Sequence, residues 1–208
     1  MNFELNRIAD IDVFLKIIEA ACEKSEQMEI CDRTLSLRNL YREAIAESKR
    51  LQSGVDEISS ISAAVRNIFE LLLIIKHLVS SDEAVNCWIG QLQQDALDIH
   101  EGLDSLFKKH GINSINLKAS RENVLSHGIA YGVVPSKPFN IKLLAKNFGW
   151  EEDYDAIYKL CSKIVHPTSI RANLPGAFDK DDSYRNALIH IGIHYVAQIA
   201  ESSKREFA

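Results

Sequence analysis

The segment RNALIH, Arg185 to His190, places an arginine, an asparagine and a histidine close together in the chain. An imidazole can exchange a proton near neutral pH, and a guanidinium can stabilise the charge that develops on a phosphate. These residue types make Arg185, Asn186 and His190 candidates for acid–base and phosphate chemistry. The alternative is that His190 is buried and hydrogen bonded in the core.

A second candidate is His166, which is followed at once by a proline in the segment YKLCSKIVHPTSI. Because proline disfavours helical geometry in the residue before it, the helix should end near Val165 and leave the imidazole at its carboxyl end. That position favours a charged imidazole. His166 is therefore either a third catalytic residue or a cap that bonds the last carbonyls of the helix.

A third group is a polar stripe on an otherwise apolar helix predicted for residues 56–79. At 100° per residue the stripe falls within one sector, formed by Ser59, Ser62, Arg66, Glu70 and His77. Arg66 and Glu70 are four residues apart and can form an ion pair. Two interpretations remain open: an ordinary solvent-exposed face, or an internal polar site.

The elements that must position these residues are predicted to be helices. Prolines are absent before residue 135, and alternating strand-like patterns are rare. The spacing predicts helices over about 8–28, 33–52, 56–79, 82–110, 121–132, 140–149, 151–165 and 181–203. Residues 111–120 and 167–182 are predicted loops. We expect the polar helix 33–52 to lie outside and the apolar helix 181–203 to pass through the centre, beside helix 56–79.

Two of these segments resemble a bacterial family of helical proteins of unknown function. Its members pair an R-x-x-x-E helix with a later Y-x-x-x-S-x-x-x-H-P element, here Arg66 and Glu70, then Tyr158, Ser162 and His166 before Pro167. The similarity covers about residues 55–170. It implies that the helix with Arg66 and Glu70 meets the helix end with His166, and that Arg66, Glu70, Tyr158 and Ser162 line a binding site.

The segment RNALIH also resembles the R-N-x-x-x-H signature of the HEPN superfamily of helical, metal-independent ribonucleases and nucleotide binders. The resemblance implies that Arg185 and His190 line a cleft, commonly at a dimer interface. It also implies that they are catalytic there, with His190 as acid or base and Arg185 as phosphate clamp, while Asn186 holds the phosphate or the histidine. It makes RNA and a second copy of the chain the expected partners. A toxin or defence effector would fit this activity. A second match, Arg121 to His127, has a glutamate instead of an asparagine directly after the arginine.

Composition excludes several other functions. The net charge of −5 disfavours a generally basic nucleic-acid binder, so any RNA contact must be local. The four cysteines form no C-x-x-C pair and no zinc pattern, and no phosphate-binding glycine motif occurs, so we expect neither metal nor cofactor. We also expect a cytoplasmic protein, because the sequence suggests no signal peptide and no apolar span of 18 residues.

The sequence thus predicts an all-α bundle of about six to eight helices in a single domain, residues 1–208, with a central C-terminal helix. The leading functional prediction is a HEPN-like, metal-independent endoribonuclease. The alternative is a non-catalytic interaction or regulatory module that recruits a protein partner through an apolar face. The two differ in one respect, because the enzyme needs Arg185 and His190 accessible and convergent, whereas the module allows His190 to be enclosed.

Overall fold

The computed structural model describes residues 9–54, 56–113, 115–174, 176–178, 180 and 182–207. Within these ranges every regular element is a helix, which confirms the predicted all-α bundle with a long C-terminal helix. The chain divides into two compact units, one from Met1–Val79 with Asn140–Ala208 and one from Ser80–Phe139. The single domain that the sequence suggested for residues 1–208 stays a prediction. Residues 8 and 181, the predicted starts of two helices, lie outside the described residues.

The first unit begins with two antiparallel helices, α1 (Ala9–Glu26) and α2 (Asp32–Ser53). Their exposed edges are joined by polar pairs at successive turns: Arg42 with Glu26 at 2.5 Å, Lys49 with Glu19 at 3.0 Å and Gln52 with Asp12 at 2.8 Å. The prediction that this second helix lies outside is wrong. Leu37, Leu40, Tyr41, Ala44 and Leu51 are buried, because the face that carries them fits between α1 and α10.

Helix α3 (Ile58–Ser80) supplies much of the core of this unit. Twelve of its residues are buried, among them Ile61, Ile68, Phe69 and Leu72. It is long and apolar enough to cross a membrane by length and composition, with 61% of its most apolar window buried inside the protein. The expectation of no 18-residue apolar span is therefore corrected. Burial against neighbouring helices accounts for the same composition.

The chain returns to this unit through α6 (Ile141–Asn147) and then a continuous helical run. The run consists of α7 (Glu151–Asp153), a π-helical turn (Tyr154–Tyr158) and α8 (Lys159–Val165). The segment that follows was predicted to be an open loop, but it contains the short helix α9 (Ser169–Asn173). Local backbone bonds that a sequence pattern does not reveal, such as Ala172 N to Thr168 O at 2.9 Å, form this turn.

The C-terminal helix α10 (Asp182–Glu206) contacts α1, α2 and α3, as expected of a central helix. It packs tightly at Gly192, where an added Cβ would lie 2.6 Å from Leu51 Cδ2 and 3.0 Å from Val65 Cγ2. Glycine therefore permits the close approach of α10 to α2 and α3.

The second unit is a pair of helices, α4 (Asp82–Lys109) and α5 (Ile115–Ala130). Residues 111–120 were predicted to be a loop, whereas α5 begins at Ile115. The helices pack closely at Gly128, where an added Cβ would overlap the side-chain amide of Gln93. This tertiary contact stabilises a helix whose sequence has almost no amphipathic pattern.

Candidate functional site

Arg66 on α3 lies at the centre of a polar cluster between α3 and the helical run α7–α8. Its Nε donates to Glu70 Oε1 at 3.0 Å, and its Nη2 donates to the Tyr158 hydroxyl at 2.5 Å. The guanidinium carbon lies 4.2 Å from the centroid of the Tyr158 ring. The Arg66 and Glu70 side chains are only 26% and 27% exposed. At these two positions the stripe is a half-buried polar site rather than an open solvent face.

The electrostatics of this cluster keep Arg66 charged. Burial by itself lowers the pKa of the Arg66 guanidinium, but the hydrogen bond and the negative charge of Glu70 outweigh burial and raise it above its ordinary value. Among the described residues nothing bonds Arg66 Nη1, so its N–H groups can still donate to an anion that enters from solvent.

The remaining polar side chains of the α3 stripe are used locally. Ser62 is buried and donates to Ile58 O at 2.7 Å, while Ser59 donates to Glu57 Oε1 at 2.7 Å. The ring of His77 lies 6.5 Å from that of Phe148. The chemically available part of the stripe is therefore Arg66 with Glu70.

The π-helical turn presents two tyrosines to Arg66. Residues Tyr154–Tyr158 widen the helix by one residue per turn, a feature frequent at functional sites. The Tyr154 and Tyr158 rings stack with centroids 4.8 Å apart. Burial, followed by the neighbouring Tyr158 and Glu70, raises the pKa of the Tyr154 hydroxyl. No sequence signal identified Tyr154, because a π-helical turn has no pattern of its own in the chain.

One turn beyond Tyr158 the helix carries Cys161 and Ser162. Cys161 is fully buried, and burial raises the pKa of its thiol to about 12 despite the opposing charge of Arg66. The Ser162 side chain is half-buried, and its backbone carbonyl accepts from His166 N at 3.2 Å. Ser162 therefore lies on the same helix as Tyr158 but makes no side-chain bond to Arg66 or Glu70.

His166 follows the last residue of α8, as the His-Pro pair predicted. Its side chain is exposed, and eight residues separate it from Tyr158, about 12 Å along a helix axis. The resemblance implied that the helix with Arg66 and Glu70 meets this helix end, but no hydrogen bond or ion pair among the described residues joins His166 to Glu70.

The predicted capping role of His166 belongs to another residue. Arg171 Nη1 donates to Ile164 O at 2.5 Å and to Val165 O at 3.1 Å, and Thr168 Oγ1 donates to Lys163 O at 3.0 Å. The guanidinium is the better cap, because its planar fork reaches two carbonyls at once. The prediction of a carbonyl-bonding His166 is wrong, and its imidazole stays in solvent.

A small cavity of about 180 Å³ lies beside this helix end. It is lined by the first turn of α3, by the end of α8 and by the segment before α10, including Ile58, Ser59, Ile164, Arg171 and Phe178. Phe178 contacts the ring of Tyr184 at 5.4 Å. The beginnings of α3 and α10 and the end of α8 therefore meet at one end of this unit.

The RNALIH segment forms the first turns of α10. His190 and Asn186 are both exposed and share one face, since they are four residues apart. Arg185 is half-buried and donates to Asp182 Oδ1 at 3.1 Å, and its buried Nε has no bonding partner among the described residues. Arg185 and His190 are five residues apart, about 140° around the helix. The structure does not bring these two side chains onto one face.

An aromatic cluster that sequence analysis missed joins α3, the start of α7 and α10. The ring of Tyr195 lies 4.9 Å from Phe69 and 5.6 Å from Trp150, and its hydroxyl donates to Asp153 Oδ1 at 3.0 Å. The ring of the exposed His194 lies 5.9 Å from that of Trp150. Tyr195 lies in a helix predicted to be apolar nearly all round, and Trp150 lies between two predicted helices, so only the fold reveals this cluster.

The described residues contain no group of three or more histidine, cysteine or acidic side chains that could hold a metal ion. The chemistry that they do offer is a charged, half-buried guanidinium beside two tyrosines, and exposed imidazoles on α10 and after α8. Such groups can bind an anion and transfer protons.

Fold and site together define the class: an all-α protein in which an arginine, a glutamate and a tyrosine from two helices form a half-buried cluster. No protein-family model matches this chain, and neither a curated protein nor a solved structure shows significant similarity to it.

Proposed function

We propose that this protein is a HEPN-like endoribonuclease that cleaves RNA without a metal ion. The observation that supports the proposal is the exposure of His190 on the face of α10 that also carries Asn186. An enclosed His190 would have favoured the non-catalytic alternative. A second exposed imidazole, His194, lies one turn further along the same face.

Two imidazoles at this spacing can divide the proton transfers of RNA cleavage. His190 takes the proton of the 2′-hydroxyl as its oxygen attacks phosphorus, and His194 gives a proton to the 5′-oxygen as the P–O5′ bond breaks. The products are a 2′,3′-cyclic phosphate and a 5′-hydroxyl. In this scheme Asn186 holds a phosphate oxygen.

Arg185 is the phosphate clamp in this proposal, which requires its side chain to leave Asp182 and turn toward the face of α10 that carries His190. Its partner Asp182 is 74% exposed, and such a pair contributes little stability, so a phosphodiester can replace the carboxylate. A cell exposed to this activity would lose RNA, which fits a toxin or a defence effector.

A second candidate function is a non-catalytic interaction module. It is favoured by the angle of about 140° between Arg185 and His190 around α10, since convergence of these two side chains was the requirement for the enzyme. In such a module Arg66, Glu70 and Tyr158 have a structural role.

The test is cleavage of end-labelled RNA by the purified protein in EDTA. We expect cyclic-phosphate products from the wild type, and at least a roughly hundredfold loss of rate in His190→Ala. Lys204→Ala, exposed near the end of the same helix, serves as the matched control and should cut normally.

The other outcomes assign the function differently. Absence of cutting in every sample would favour the module. Loss of cutting in His166→Ala but not in His190→Ala would move the site to the end of α8. Cutting abolished by EDTA would contradict the metal-independent mechanism.

A further inference from the structure

The second unit carries an apolar seam along the exposed side of α4. The seam consists of Leu92, Ala96, Ile99, Leu103 and Leu106, which are separated by four, three, four and three residues. This spacing is the heptad pattern of helices that pair side by side. The side chains are exposed: 72% for Leu92, 61% for Ile99 and 48% for Leu106.

The α4–α5 pair cannot bury this seam by itself. Among the described residues of the second unit, Ala84 and Val85 are its only buried apolar side chains, and both lie in the first turn of α4. Ile129 near the end of α5 and Tyr131 just after it add to the exposed apolar surface, since each is 80% exposed. An apolar groove of about 350 Å³ between the helices opens beside Leu92 and Ala96.

We propose that this seam pairs with the same seam of a second copy of the chain, with the two α4 helices antiparallel. In antiparallel pairs an a position packs beside a d position of the other helix. One register places Leu103 beside Ile99 of the second copy and Ala96 beside Leu106 of the second copy. Every seam residue from 96 to 106 then has an apolar neighbour, with large side chains opposite small ones at both ends.

The charges on either side of the seam select this register. It brings Asp95 beside Lys109 of the second copy, and the twofold axis repeats the pair at the other end. Both side chains are exposed, and neither is bonded to another described residue of its own chain. Opposite charges at these flanking positions determine orientation in helix pairs.

Gly102 supplies a separate observation in favour of the same register. It lies in the interior of α4, where glycine weakens a helix, and an added Cβ would contact nothing within 4 Å. Nothing described in the chain itself therefore requires glycine there. In the proposed pair Gly102 meets Gly102 of the second copy at the twofold axis, where the absence of a side chain lets the helices approach closely.

The α4–α5 pairs of the two copies together form a four-helix bundle. Tyr131 and Val133 extend the apolar surface beside the seam. The proposal uses no residue of the proposed nuclease site, so either can fail without the other.

The test is sedimentation velocity of the full chain over a concentration series. We expect a dimer for the wild type and a monomer for Ile99→Asp, with helix content monitored by circular dichroism. Asp95→Lys and Lys109→Asp should each weaken the dimer by roughly tenfold, because each replaces two attractions with two repulsions. The double variant should restore most of the affinity, since it reverses both charges.

Glu101→Lys is the matched control, because Glu101 is exposed on α4 opposite the seam, and it should leave the dimer unchanged. Gly102→Leu should weaken the dimer without loss of helix. A wild type that remains monomeric, a dimer that survives in Ile99→Asp, or a double variant no tighter than the single ones would overturn the proposal.

Discussion

Arg66 and Tyr158 are 92 residues apart in the chain, and the guanidinium of the first donates to the hydroxyl of the second at 2.5 Å while lying over its ring. The contact joins the apolar helix α3 to the π-helical turn. The widened turn also stacks Tyr154 on the other tyrosine, so the local backbone irregularity and the polar cluster occur at the same place. The π-helical turn therefore positions the tyrosine that contacts Arg66 and the tyrosine stacked on it.

Tyr158→Phe should lower the free energy of unfolding by about 1 kcal/mol, because it removes a charge-assisted hydrogen bond at a half-buried site and keeps the ring. Arg66→Ala should cost about 1–3 kcal/mol, since Glu70 and Tyr158 both lose their partner. Urea denaturation followed by circular dichroism measures both changes.

Tyr154→Phe is the matched control for this comparison, because it removes a hydroxyl from the same stack that donates to no described residue. It should change stability by less than about 0.5 kcal/mol. Equal losses for the two tyrosine variants would show that the Arg66 bond contributes nothing.

Arg171→Ala should destabilise the end of α8 by about 1 kcal/mol, because the carbonyls of Ile164 and Val165 lose their donor. His166→Ala should cost less than about 0.5 kcal/mol, since the exposed imidazole caps nothing. Thermal unfolding separates the two variants. A larger loss in His166→Ala than in Arg171→Ala would restore the capping histidine.

The cysteines should differ in their reaction with iodoacetamide at pH 8. Cys31 is exposed, and the side-chain bond to Thr34 lowers the pKa of its thiol, so it should react first. Cys161 should react only as fast as the protein unfolds, because burial raises the pKa of its thiol to about 12. Mass spectrometry of digested samples identifies the modified cysteine, and Cys31→Ser should remove the fast reaction.

Glu47 should make stability depend on pH. Its side chain is buried, and burial raises the pKa of the carboxyl above its ordinary value although Asn67 and Arg50 oppose the shift. A folded pKa above the unfolded one stabilises the protein below about pH 4.5, and this contribution is lost as the pH rises through the folded pKa. Relative to the wild type, the free energy of unfolding of Glu47→Gln should therefore be higher at pH 7 than at pH 4.5.

The comparison must be made by urea denaturation of both proteins from pH 4.5 to 7. As the pH rises, the free energy of unfolding of Glu47→Gln should increase relative to that of the wild type. A decrease of this relative free energy over the same range would mean that Arg50 and Asn67 outweigh burial and lower the pKa of Glu47.

The sequence determined the helices that carry the candidate residues. Apolar spacing at three and four residues defined α1, and dense apolar composition defined α3 and α10. Pro167 ended α8 beside His166, because such signals act within a few residues of the chain. The same logic placed Arg66 and Glu70 on one face of α3, where the structure joins them in an ion pair.

Only the tertiary structure decided which side chains meet. The bond of Arg66 to Tyr158, the capping of α8 by Arg171 and the burial of the polar helix α2 depend on how helices far apart in sequence pack. The π-helical turn and the start of α5 at Ile115 were also missed. Contacts across tens of residues set these features, and periodicity along a single helix does not contain that information.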